Sequence, residues 1–142
     1  MIEYFEREGL LLAVILKASF KKAGIEFFTP QDFSQQLGYM NRLKGHVIEP
    51  HVHNIVERKV ALTQEVLYIK SGKVRVDFYD NTKCYLESRL LETGDVILLA
   101  NGGHGFEIIE DAEMIEVKQG PYCEEEDKVR FNSISVDVIK IK

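Results

Sequence analysis

The sequence predicts an all-β fold, an antiparallel sandwich or closed barrel with little helix. Three observations carry this. The apolar residues of the 142-residue chain fall in short runs rich in Val, Ile, Phe and Tyr, bounded by Gly, Asn, Asp and Pro. No apolar repeat of about 3.6 residues persists beyond a single turn. Two pairs of such runs are separated by two residues each, Ser71-Gly72 and Asp111-Ala112, the spacing of tight hairpins. With 45% hydrophobic residues the chain can bury one core, so a single domain over residues 1–142 is expected.

Gly9 to Ala18 gives the first strand, with a continuous apolar run from Leu10 to Leu16. Ile25 to Phe28 is a second short apolar segment closed by Thr29-Pro30, and Pro30 to Ser34 can form one helical turn. Leu37 to Leu43 alternates as a strand does, Lys44-Gly45 turns it, and Val47 to His53 forms the next strand. The first hairpin joins Glu65–Lys70 to Lys73–Tyr79. With Glu65 inward, Leu67, Ile69, Val74, Val76 and Phe78 share its face, whereas Lys70, Lys73, Arg75 and Asp77 point out.

Asp80-Asn81 then turns the chain into Lys83–Leu91, and Thr93 to Asp95 turns it into Val96–Leu99. A glycine-bearing loop with His104 leads to the second hairpin, Phe106–Glu110 with Glu113–Val117. With His104 inward, Phe106, Ile108, Ile115 and Val117 follow it, and Glu107, Met114, Glu116 and Lys118 face out. Gly120-Pro121 ends this region. The acidic run Glu124 to Asp127 reads as a solvated connection, and Phe131 to Ile141 as a last strand.

His51 and His53 stand one residue apart. In an extended strand they project from one face, roughly 6.5 Å apart at the backbone, and two such imidazoles can converge on one ion at about 2.1 Å. Glu65 follows, seven residues before Gly72, and His104 comes later. Gly45, His51, His53, Glu65 and Gly72 resemble the leading motif of the cupin family position by position, with a longer spacer (Asn54 to Gln64) than that family commonly has. Such an insertion costs little, because closure entropy grows only logarithmically with length. Gly94 and Gly102 resemble the second cupin motif, from which the chain departs in having Ala100 for its proline, His104 one residue early and Ile108 at its asparagine position.

The resemblance covers Leu37 to Pro121. It implies a double-stranded β-helix, or jelly roll, on which the strands of 9–28 and 131–141 pack. It also implies a divalent transition metal held by His51, His53, Glu65 and His104, a small-molecule ligand, and a homodimer. A Glu65 turned into an apolar face needs a cation or a proton, since an unpartnered buried carboxylate costs several kcal/mol. Glu57 lies nearer His53 but has Gln64 where the motif has glycine, and Glu49 shares the parity of His51. His46 has the opposite parity. Three histidines and a glutamate suit iron, manganese, nickel, copper or zinc; a five- or six-coordinate ion keeps positions open for substrate, and a tetrahedral zinc does not.

A net charge of −5 and a pI near 5.4, with no basic run interleaved with aromatics, argue against a nucleic-acid partner. Leu10–Leu16 is too short to span a bilayer, and Glu3, Glu6 and Glu8 outnumber Arg7, so neither a membrane span nor a secretory leader is expected. Cys84 and Cys123 form no CxxC motif, and a cytoplasmic address is the simpler expectation.

Three functions fit. One is a metal-dependent enzyme acting on a sugar or oxo-acid by isomerisation, epimerisation, oxygenation or decarboxylation, with Tyr39, Arg42, Gln64 and Asn101 near the motif ends as candidate substrate contacts. Another is a non-catalytic module that binds a small ligand or ion in the same cavity. The third is an oligomerising barrel that uses an external face of Val66, Tyr68 and Tyr79.

Overall fold

A computed structural model describes residues 1–123 and 127–142. Its strands are β1 (Ile2–Arg7), β2 (Leu10–Leu16), β3 (Gly24–Phe27), β4 (Gly38–Asn41), β5 (Glu65–Tyr79), β6 (Tyr85–Glu92), β7 (Val96–Leu99) and β8 (Gly103–Lys118), followed by a 3-10 turn at Val136–Val138. The main sheet runs β1-β2-β7-β5-β6, with β8 on the other side of β5. It curls into an antiparallel half-barrel, in keeping with the all-β barrel expectation.

β1 is a strand the sequence does not announce, because Glu3 and Glu6 interrupt its apolar residues. It pairs with β2 through Glu8 and Gly9, both at positive φ (52° and 76°), a turn whose twist matches that of the flanking strands. The apolar run of β2 is buried from Leu12 to Leu16 between β1 and β7.

Both predicted hairpins are corrected by the structure. β5 runs from Glu65 to Tyr79 through Ser71-Gly72, and β8 from Gly103 to Lys118 through Asp111-Ala112, and the two strands pair along their whole length. The apparent turns are bulges that face each other. Gly72 sits at φ 83°, and a Cβ there would lie 2.0 Å from the Asp111 carbonyl oxygen. Between Ile69↔Met114 and Val74↔Ile108, β8 has one residue more than β5, which reverses its alternation beyond the bulge. Ile115 and Val117 therefore lie exposed on the face opposite that of His104, contrary to the hairpin expectation, and Met114, Glu116 and Lys118 lie on the His104 side.

The opposite edge of β5 pairs with β6 over Lys73–Tyr79 and with β7 over Glu65–Tyr68. The connection between β6 and β7, with Gly94 at φ 90°, stands level with the bulges, and the Gly94 amide donates to the Ile69 carbonyl at 2.7 Å. The three-stranded ribbon bends there. Leu67, Ile69, Val74, Val76 and Phe78 share its inner face with Ala13, Ile15, Leu91, Ile97 and Leu99 in one core. This half of the face assignment made from the sequence agrees with the structure.

Other expected strands are absent among the described residues. Val47 to His53 forms no strand pairing with any of them; Pro50 lacks a donor, and Val47 and Val52 are exposed. Phe131 to Ile141 forms the 3-10 turn and a single bridge, Ser88↔Ile141, which covers the edge of β6. Of the acidic run, Glu124 to Glu126 lies outside the described residues. Two compact units emerge, residues 1–20 with 62–142, and residues 21–61. The second holds the β3–β4 ladder, Gly24↔Asn41 to Phe27↔Gly38. Among the described residues no helix is long and apolar enough to cross a membrane.

Candidate functional site

A straight β5 would separate Glu65 from Phe78 by roughly 40 Å. Yet His104, the cross-strand partner of Phe78, places Nε2 3.0 Å from Glu65 Oε2. The curl of the ribbon brings the two residues together. The imidazole Nε2–H donates to the carboxylate, and Lys118 Nζ stands 3.8 Å from Oε1. His104 also packs edge-on to Phe106, with ring centroids 5.6 Å apart.

The hydrogen bond from His104 holds the Glu65 carboxyl below its ordinary value near 4.5; burial opposes this, and the charges of His104, Lys118 and Lys128 add to it. A carboxyl depressed by folding stabilises the protein above its unfolded value and loses that contribution as pH falls through the folded value. Glu65→Gln should therefore flatten the fall in stability below pH 4.5, measured by urea unfolding over a pH series. An unchanged slope would mean that the carboxylate gains nothing from His104.

Beside this pair a cavity of about 670 Å³ lies between the start of β8 and residues 127–136. Its wall includes Arg75 and Asp77, which the alternation of β5 predicts to point outward into solvent. They do lie on the face opposite Val74, Val76 and Phe78, but they are buried there. Arg75 Nε donates to Asp77 Oδ1 at 2.8 Å and Nη2 to Oδ2 at 3.0 Å, and Nη2 also lies 2.6 Å from Glu107 Oε2. Ser88 Oγ donates to Asp77 Oδ1, and the Tyr85 hydroxyl lies 2.8 Å from Ser88 Oγ.

Tyr79, expected on an external apolar face, is buried because the C-terminal segment covers it. Its hydroxyl accepts the Ile134 amide at 3.1 Å, and its ring meets Phe131 edge-on at 5.0 Å. Gly103 lets that ring approach: a Cβ there would lie 3.2 Å from Phe131. The sequence carried two unused signals for this wall. Opposite charges two apart, Arg75 and Asp77, share a strand face, and they pair with Glu107 and Gly105. Glycine inside a strand marks close approach by other groups.

The remaining predicted residues fall as follows. His51 and His53 belong to residues 21–61, in an exposed segment without regular structure. Their rings meet edge-on with centroids 5.2 Å apart, and His51 Nδ1 lies 2.9 Å from the Glu49 carbonyl. Tyr39 is half-buried on β4, and Arg42 is exposed just after it. Gln64 is buried, and its amide donates to Gln119 Oε1 at 2.7 Å. Asn101 Nδ2 donates to the Leu11 carbonyl at 2.9 Å, a bond that ties the β7–β8 connection to β2.

Among the described residues no group of three or more His, Cys, Asp or Glu is placed to hold a metal ion. Glu65 and His104 direct their facing atoms at each other. Comparison with family models, curated proteins and solved structures found no match.

Proposed function

We propose that the half-barrel binds a small polar molecule of sugar or oxo-acid type in the cavity, and that Glu65 and His104 are the acid–base pair that acts on it. The observation that carries this reading is the 3.0 Å contact between two residues far apart in sequence, at the margin of a cavity large enough for such a ligand. An ionised Glu65 accepting from Nε2 orients the imidazole and leaves Nδ1 as the ring's acceptor nitrogen. In its neutral form Nδ1 can take a proton from a carbon or hydroxyl of the ligand and return it, which is the chemistry of isomerisation and epimerisation. Arg75, held in its charged form first by hydrogen bonding to Asp77 and against the effect of burial, offers a fixed donor group on the cavity wall.

Turnover assays across sugar phosphates, nucleotide sugars and 2-oxo acids test the reading. His104→Ala should lower kcat/KM by about 10²- to 10⁴-fold with the fold retained. Saturable binding of a ligand that is never turned over would assign the cavity to a non-catalytic module instead.

The cupin resemblance and its metal-dependent version, with His51, His53, Glu65 and His104 as ligands, stand as a second proposal, supported by the imidazole and carboxylate chemistry of that set. Metal analysis of protein purified without chelators tests it: about one ion per chain, lost in Glu65→Gln, would establish the ion, and its absence would leave the acid–base pair alone.

A further inference from the structure

β8 is a sixteen-residue strand paired only with β5, and its outer edge carries no strand among the described residues. Ile108 and Ile109 before the bulge and Ile115 and Val117 after it are exposed. Natural sheets shorten, charge or cover such edges, because a row of free backbone donors and acceptors with aliphatic side chains pairs with any extended chain. β8 is acidic: Glu107, Glu110, Asp111, Glu113 and Glu116 line it. Glu107, Glu113 and Glu116 have cationic partners in Arg75, Lys70 and Lys118, whereas Glu110 and Asp111 have no ion pair among the described residues.

The chain also contains a segment of matching character. Residues 42–64 lack regular structure, a length that is uncommon inside a compact fold unless the stretch binds something. Val52, Ile55, Val56 and Val60 in it are exposed, their β-branched side chains favour strand, and Glu57, Arg58 and Lys59 sit among them, leaving the 52–60 segment with one net positive charge. Among the described residues Arg58 reaches the carbonyl of Val56, two residues away. Extended aliphatics with adjacent cations are what an acidic aliphatic edge would accept.

We propose that β8 of one chain is completed by the 52–60 segment of a second copy, reciprocally, so that the protein is a dimer formed by exchanged edge strands. Gly103–Glu107 at the start of β8 line the cavity, whereas the exposed Ile108, Ile109, Ile115 and Val117 lie outside its wall, so the inference stands or falls independently of the function proposed above.

The test uses the full chain at micromolar concentration. Light scattering should give twice the mass of one chain, and the pair of substitutions Ile55→Asp and Val56→Asp, both at exposed positions, should halve it while the circular dichroism spectrum is unchanged. Protein mixed from ¹⁴N and ¹⁵N chains, cross-linked by carbodiimide and digested, should yield mixed-isotope links between Lys59 and Glu110, Asp111 or Glu113. A wild-type mass of one chain, a dimer indifferent to the substitutions, or links found only within one isotope would each overturn the proposal.

Discussion

Gly72→Ala is expected to destabilise the protein by roughly 4 kcal/mol, the sum of a left-handed backbone cost and an overpacking cost. The residue sits at φ 83°, and a methyl group there would meet the Asp111 carbonyl oxygen at 2.0 Å and Ala112 Cα at 2.7 Å, backbone atoms of the facing bulge that cannot move aside as a flexible side chain can. Gly9→Ala is the control. Gly9 has φ 76° but nothing within 4 Å of a new Cβ, so only the backbone cost of about 1–2 kcal/mol applies. Urea midpoints at constant m measure both. Equal losses would mean that the close approach of the bulges adds nothing.

Asp95→Ala should cost about 3 kcal/mol or more. The carboxylate is 2% exposed and serves three partners. Oδ1 accepts the Ala18 amide at 2.8 Å, and Oδ2 accepts the Glu92 amide at 2.9 Å together with Lys17 Nζ. It fastens the end of β2 to the connection between β6 and β7, where the ribbon bends. Lys17 retains 25% exposure and can turn to water, so most of the loss comes from the two amides left without an acceptor. Asp95→Asn, which keeps an acceptor oxygen, should lose less than the alanine variant, as thermal and urea unfolding would report. If the two are equally stable, the carboxylate is not the fastening.

The fold class was legible because strand-forming runs and turn residues are local signals: β3, β4, β6 and β7 fall within or close to the predicted segments. The reversals were not. Ser71-Gly72 and Asp111-Ala112 carry the chemistry of turns, and local chemistry does not distinguish a strand that reverses from two paired strands that bulge at the same level. The spacing of Glu65 and His104 marks them in the sequence, and the curl places them side by side. The burial of Arg75 and Asp77 is not legible in the sequence because their cover, residues 127–136, lies far along the chain and forms no strand among the described residues. Val47 to His53 has the composition of a strand but pairs with no strand among the described residues, and composition supplies no partner.

The Glu65–His104 pair as the centre of a ligand site is tested most directly by saturation-transfer NMR. A panel of hexose phosphates, nucleotide sugars and 2-oxo acids would be offered to the wild type and to His104→Ala. At least one compound should bind the wild type and lose about tenfold or more in affinity to the variant, with the amide spectrum of the fold preserved. Compounds that bind both proteins equally well would contradict the account.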